Sequence, residues 1–268
     1  MTPTSRRFLI GTSWKMNKTL AEAGAYVDGV RSWVGSGVDG LELFVLPPYT
    51  ALSTVHGWLA GSPVRVGAQD VSAEADGAHT GDISARMLVD AGAVLVEVGH
   101  QERRRDHGET DRLVNAKVHR CLRAGLRPLV CVGESADDLR FGVHAEALSR
   151  QVKMALHGVP AEGADQVLVA YEPGWAIGEG AVAADTRHIA EAHLVIRDVL
   201  GRFFGEDAAA VPLLYGGSIT ASNAVAIAGT AQVDGLFVGR AGLKDQGMLT
   251  ICDAVQRALA QPQRKASA

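Results

Sequence analysis

Eight times along this chain a short apolar run is followed by a stretch with helical character, and no linker or shift in composition interrupts the series. The runs at residues 7–11, 41–46, 64–68, 93–98, 127–132, 166–171, 211–215 and 235–238 have the length of buried strands, roughly 4–8 residues. Helix signals fall between them. Thr19 and Glu22 form a capping box that opens a helix at Leu20. Gly125 stands where a helix over residues 111–124 must stop. After Asp185, the residues Ile189, Ala192, Ile196, Val199 and Phe203 keep helical spacing. Eight β-then-α units in about 250 residues are the pattern of a single (β/α)8 barrel of the α/β class. An open, doubly wound sheet is the rival, because spacing alone does not show closure. The domain is expected over residues 1–260, with a polar, frayed tail at 261–268.

The position of the polar residues favours the barrel. Lys15, His100, Glu172, Gly216-Gly217-Ser218 and Gly239 each lie just past the C-terminal end of a predicted strand. In a closed barrel those ends converge on one face, where active sites sit. In an open sheet the first and last would be far apart.

Composition narrows the class of partner. The chain of 268 residues is 47% hydrophobic and 21% charged, which suits a globular protein with a sizeable core. A net charge of −4 gives no footprint for nucleic acid or an anionic membrane. No apolar run approaches the roughly 20 residues of a membrane helix. Cys121, Cys131 and Cys252 are odd in number, scattered and embedded in apolar sequence, so reduced thiols and a cytoplasmic location are expected.

Within the strand-end set, Glu172 stands where Val167-Leu168-Val169-Ala170-Tyr171 gives way to a loop. Pro173 stiffens that loop, Gly178 and Gly180 free it, and Trp175 and Ile177 give it an apolar face, as in a closing lid; an ordinary loop with a solvated glutamate is the plainer reading. Lys15 either neutralises a bound anion or is a surface lysine. His100 is either a proton donor or acceptor or a satisfied histidine. Arg103, Arg104 and Arg105 read as salt-bridge and surface residues. Glu97, inside a strand, needs a cationic partner and reads as structural. The glycines after the last two strands let backbone N–H groups converge, and phosphate sites of such barrels often lie there. No metal-ligand spacing, Walker loop or GxSxG elbow is present.

Ser13-Trp14-Lys15-Met16-Asn17, Gly99-His100-Gln101-Glu102-Arg103-Arg104, the segment from Tyr171 to Gly180 and Tyr215-Gly216-Gly217-Ser218 together resemble the motifs of the triosephosphate isomerase family. The resemblance runs from Gly11 to about Leu243, in order and in spacing. It implies a TIM barrel in which Lys15 is the electrostatic residue, His100 the electrophile, Glu172 the base and Glu102 a supporting carboxylate. The family is a standard illustration of a glutamate base paired with a neutral histidine under a closing loop. By the same resemblance Gly178, Ser218, Gly239 and Arg240 supply phosphate-binding amides, and no redox or metal cofactor is required. The long loop from Gln69 to Ser84 resembles the family's dimer loop, with Thr80 reaching the partner's active site in a homodimer.

Three departures bear on the substrate. Ser13 stands where the family usually has a substrate-touching asparagine, Gln101 follows the histidine in place of serine, and Arg240 replaces the second glycine of the last turn. The lid is also unusual, with Gly174 after the proline and Ala181-Val182-Ala183 at the far hinge. The first motif is similar to that of the L-erythrulose-1-phosphate isomerases, which move a carbonyl between the middle carbons of a tetrulose phosphate. That substrate is favoured, with Ser13 and Gln101 among the residues that would accommodate it. A glycolytic triosephosphate isomerase is the alternative. A retired barrel that only binds sugar phosphates is the alternative of another class, and it has no chemical need for Lys15, His100 and Glu172 together.

Overall fold

The computed structural model describes residues 7–35, 37–178 and 180–261; the expected tail lies, beyond Gln261, outside them. In chain order the elements are β1 (Phe8–Ser13), α1 (Leu20–Val34), β2 (Leu41–Leu46), α2 (Tyr49–Trp58), β3 (Val64–Ala68), α3 (Ala85–Asp90), β4 (Leu95–Val98), α4 (Gln101–His107), α5 (Asp111–Arg123) and β5 (Arg127–Val132). There follow α6 (Ala136–Arg140), α7 (His144–Leu156), β6 (Leu168–Tyr171), α8 (Thr186–Phe204), β7 (Leu213–Tyr215), α9 (Ala224–Ala228), β8 (Gly235–Val238) and α10 (Asp245–Ala260). All strand pairs are parallel, and β1 pairs with both β2 and β8, with Ile10 opposite Leu43 on one side and Leu236 on the other. The sheet is therefore a closed eight-stranded barrel, and the open-sheet rival is excluded.

Alternation along the strands sorts the core into two layers. Leu9, Phe44, Leu46, Leu95, Leu129, Cys131, Leu168, Ala170, Leu214 and Phe237 form the cluster inside the barrel. Their neighbours, such as Ile10, Val45, Val96, Val130, Val169 and Leu236, pack outward beneath the helices. β1 carries a glycine at position 11 because the inner layer leaves no room for a side chain: a Cβ there would stand 2.0 Å from the Phe44 ring.

Local signals hold where they are strongest. Thr19 and Glu22 make the reciprocal capping box at α1, and Gly125 takes a φ of 75° after α5. Strand starts are less well anticipated. β4, β6 and β7 begin later than their apolar runs, because Ala93 still bonds back to Leu88 at the end of α3, a 3-10 turn holds Ala161–Gln166, and Pro212 has no amide to donate. β1 runs two residues further than expected, to Ser13, which pairs with Leu46. No described helix is long and apolar enough to cross a membrane. All three cysteines are buried and free.

Candidate active site

A cleft of about 960 Å³ opens at the C-terminal ends of the strands. Ser13, Lys15, His100, Glu102 and Glu172 line one side of it, and Gly178, Gly217, Ser218, Gly239 and Arg240 the other. The residues set apart along the chain thus meet on one face, as barrel closure requires.

Lys15 follows the end of β1 in a left-handed conformation, φ 53°. Gln69 holds that turn, its side-chain amide donating to the carbonyls of Lys15 (3.0 Å) and Leu46 (2.9 Å). The Lys15 ammonium reaches Glu102 Oε1 at 2.7 Å. Burial acts to raise the Glu102 carboxyl, but the hydrogen bond and charge of Lys15 hold it below the usual carboxylate range. His100 caps α4, and its Nδ1 accepts from the Glu102 backbone N–H at 3.1 Å. A nitrogen that accepts carries no proton, so the ring is the Nε2–H tautomer. That Nε2 lies 3.5 Å from Glu172 Oε2 and 3.9 Å from Glu97 Oε1.

Glu172 leaves the end of β6 with its amide bonded to Val132 O at 2.7 Å. It is only 5% exposed, and its Oε2 has no hydrogen-bond partner. An unpaired buried carboxylate oxygen is costly, and such atoms call for a functional explanation. Space for the carboxylate depends on Gly216, where a Cβ would lie 2.7 Å from Glu172 Oε1.

Around β7 and β8 the lining mixes glycine turns with apolar side chains such as Ile219, Ile227 and Leu243. Gly217 and Ser218 follow β7, and Ser218 is the other non-glycine residue of the cleft with positive φ, 44°. Its hydroxyl lies 2.9 Å from both Ala176 O and Ala181 O and shares its one proton between them, so it draws both arms of the β6–α8 loop to the β7 turn. That loop starts with a 3-10 turn, Gly174–Ala176, whose Trp175 donates to Glu134 Oε1 at 2.8 Å. Tyr171 donates to the same oxygen at 3.0 Å, and His188 Nε2 lies 3.3 Å from it. Val182, near the loop tip, is 77% exposed. A bonded hinge under an exposed tip is the construction expected of a lid.

Most of the expected site residues meet here. Gln101 does not: it turns from the cleft and donates to Gly133 O at 2.8 Å, bracing the β5 turn beside His100. From there it touches the packing around His100 rather than the cleft itself. Arg103 pairs with Asp70, Arg104 with Asp111 and Arg105 with Asp106, the salt-bridge roles expected of them. Glu97, expected to be structural and to have a cationic partner, lies beside His100. It is 3% exposed, and its near neighbours are His100 and the Cys131 thiol, which lies 3.9 Å from its Oε1, rather than a lysine or arginine partner. The signal was parity: Leu95 points inward, so Glu97, two residues on, also points into the barrel just below the site.

A family model described as triosephosphate isomerase matches residues 8–255. A triosephosphate isomerase of Citrifermentans bemidjiense is 43% identical over 247 residues, covering 92% of this chain and 98% of the relative. An L-erythrulose-1-phosphate isomerase of Rhizobium rhizogenes is 40% identical over 252 residues, covering 92% and 94%. The crystal structure of triosephosphate isomerase from Bartonella henselae superposes with a TM-score of 0.82 at 37% identity, covering 92% of this chain and 98% of that one. With closed barrel, motif order and full-length similarity in agreement, this chain belongs to the triosephosphate isomerase family of isomerases.

Proposed function

We propose that this protein is a cofactor-independent ketose-phosphate isomerase whose substrate is L-erythrulose 1-phosphate, converted to D-erythrulose 4-phosphate through an enediolate. The observation that carries the chemistry is the unpartnered Glu172 Oε2, buried at the cleft and 3.5 Å from the His100 Nε2. Glu172 takes the proton from the hydroxyl-bearing carbon beside the carbonyl. The electron pair moves into the carbonyl oxygen, to which His100 Nε2–H donates. Lys15, oriented by Glu102, faces the growing charge with a fixed positive one. The hydroxyl proton passes to the former carbonyl oxygen by way of His100 Nε2, Glu172 returns its proton to the former carbonyl carbon, and the neighbouring oxygen becomes the new carbonyl. The amides of Gly178, Ser218, Gly239 and Arg240 are proposed to hold the phosphate.

The tetrulose reading rests on Ser13. A tetrulose 1-phosphate keeps the carbonyl-to-phosphate spacing of dihydroxyacetone phosphate and adds a hydroxymethyl on the carbon that loses its proton. Ser13 ends β1 inside the cleft, beside Lys15, with a short side chain and a hydroxyl. It leaves volume near the reacting carbons and offers the extra oxygen a hydrogen bond. The glycolytic triose reaction is the second reading, since relatives named for it are at least as similar overall. The test compares kcat/KM on the two sugar phosphates. The wild type is expected to prefer the tetrulose, and Ser13→Asn to narrow or reverse the preference. A wild-type preference for the triose would overturn it.

We also propose a two-fold dimer in a reducing, cytoplasmic compartment. The segment from Gln69 to Ser84 carries an exposed Thr80 and is stiffened from within, Ser72 donating to Asp82 at 2.6 Å and Ser84 to Asp76. Met16, next to Lys15, is 98% exposed, an apolar side chain suited to cover by a second copy. A fully active monomer in light scattering at assay concentration would refute the dimer.

A further inference from the structure

Glu97 and Glu172 are two carboxyl groups from different strands, both shut away from water. Carboxylate oxygens of the two and the Cys131 thiol lie within 4.8 Å of one another. Two unit negative charges that close, away from bulk solvent, repel by much more than thermal energy. Among the described residues no lysine or arginine pairs with Glu97; its one ion-pair contact is His100 Nε2 at 3.9 Å. The surroundings thus favour one negative charge rather than two.

We propose that Glu97 and Glu172 share a single negative charge around His100, with Glu97 the neutral partner, and that Glu97 is thereby a positioning residue that leaves the His100 Nε2–H free for the substrate. The idea deepens the isomerase reading and rests on Glu172 being the base. While Glu97 is neutral, its Oε1 competes poorly for the Nε2 proton. Once Glu97 ionises, that oxygen becomes a strong acceptor beside the ring, and its charge opposes the negative charge of an enediolate.

The other groups around it agree. Facing Glu97 are Ser13 at the end of β1 and Lys15 after it, His100 after β4, Cys131 on β5 and Glu172 after β6. Burial raises the Glu97 carboxyl most; His100 lowers it, Glu172 raises it, and Ser13 and Lys15 lower it, leaving it pushed up to about 7. The Cys131 thiol, held well above its ordinary range by burial and then by Glu172 and Glu97, stays protonated and adds no charge.

The test is the pH profile of kcat/KM for wild type and Glu97→Gln, with an infrared titration of the substrate-free proteins. Kcat/KM reports ionisations of the free enzyme, and the substrate phosphate, with its pKa near 6, titrates on the acid side. The wild type is expected to fall to a lower plateau above neutral pH. Glu97→Gln removes that fall, so the ratio of variant to wild type rises at least threefold between pH 6 and pH 8.5. In the infrared, wild type shows a protonated-carboxyl band at pH 6 that fades through neutrality and is missing from Glu97→Gln. An unchanged alkaline limb in the variant, or no such band in wild type, would overturn the proposal. If no sugar phosphate is turned over, the isomerase reading fails and the infrared titration alone decides whether the charge is shared.

Discussion

The two sides of the cleft are made of different material. On the side of β1, β4 and β6, side chains carry the site: Lys15, His100 and Glu172 are each fixed by identifiable partners or by enclosure. On the side of β7 and β8, Gly217, Ser218 and Gly239 bring short-side-chain turns to the wall among apolar neighbours, joined to the lid by the Ser218 hydroxyl. The first arrangement suits proton transfer, where atoms must sit within tenths of an ångström. The second suits an anion, which several amides hold without titrating. Damage on the first side should therefore appear mainly in kcat, and damage on the second mainly in KM.

The largest effect belongs to the first side. Glu172→Gln keeps the shape of the side chain but cannot accept a proton at neutral pH, so kcat should fall about 10²–10⁴-fold. A drop of less than tenfold in steady-state assays would remove Glu172 as the base. Gly216→Ala probes where the two sides touch. Its new methyl would stand 2.7 Å from Glu172 Oε1, so the carboxylate must move. A shift of about 1 Å can cost about 10²-fold, and the loss should fall on kcat while circular dichroism shows the barrel intact.

On the second side, Ser218→Ala removes the shared hydroxyl donor that draws the lid loop to the β7 turn. A net value near 1 kcal/mol for such a bond puts the expected rise in KM at about fivefold, with kcat changed less. An equal fall in kcat would show that the two sides are not separable in this way.

The smallest effect concerns stability. The Glu97 carboxyl is raised to about 7 in the folded protein, above its ordinary 4.5. Between those values the folded state holds a proton that the unfolded chain releases, so this group makes the fold less stable as pH rises through that window and changes it no further above. Glu97→Gln removes the term. Its Tm relative to wild type should therefore be higher at pH 8 than at pH 5, and a difference independent of pH in calorimetry would contradict the assignment.

The same contrast explains what was legible in the sequence. The barrel was, because eight strand-then-helix units and the helix caps are local signals. The meeting of Lys15, His100 and Glu172 on one face was as well, since each lies within two residues of a strand's C-terminal end. Strand starts depended on Pro212 and on a 3-10 turn at Ala161–Gln166, details beneath hydrophobic patterning. The neighbours of Glu97 were not legible: a buried carboxylate was expected to find a cation, whereas tertiary packing gave it His100 and Cys131. The inward turn of Gln101 to Gly133 O likewise depends on β5, which is distant in sequence.

Proton transfer by Glu172 is the central claim, and hydrogen exchange in heavy water reads it directly. L-Erythrulose 1-phosphate and dihydroxyacetone phosphate are each incubated in D2O with wild type and with Glu172→Gln, and the reacting carbon is followed by proton NMR. Wild type should bring deuterium onto that carbon, faster with the tetrulose, and Glu172→Gln should nearly abolish the exchange. Exchange that persists undiminished in Glu172→Gln, or a wild type that exchanges neither sugar, would contradict the account.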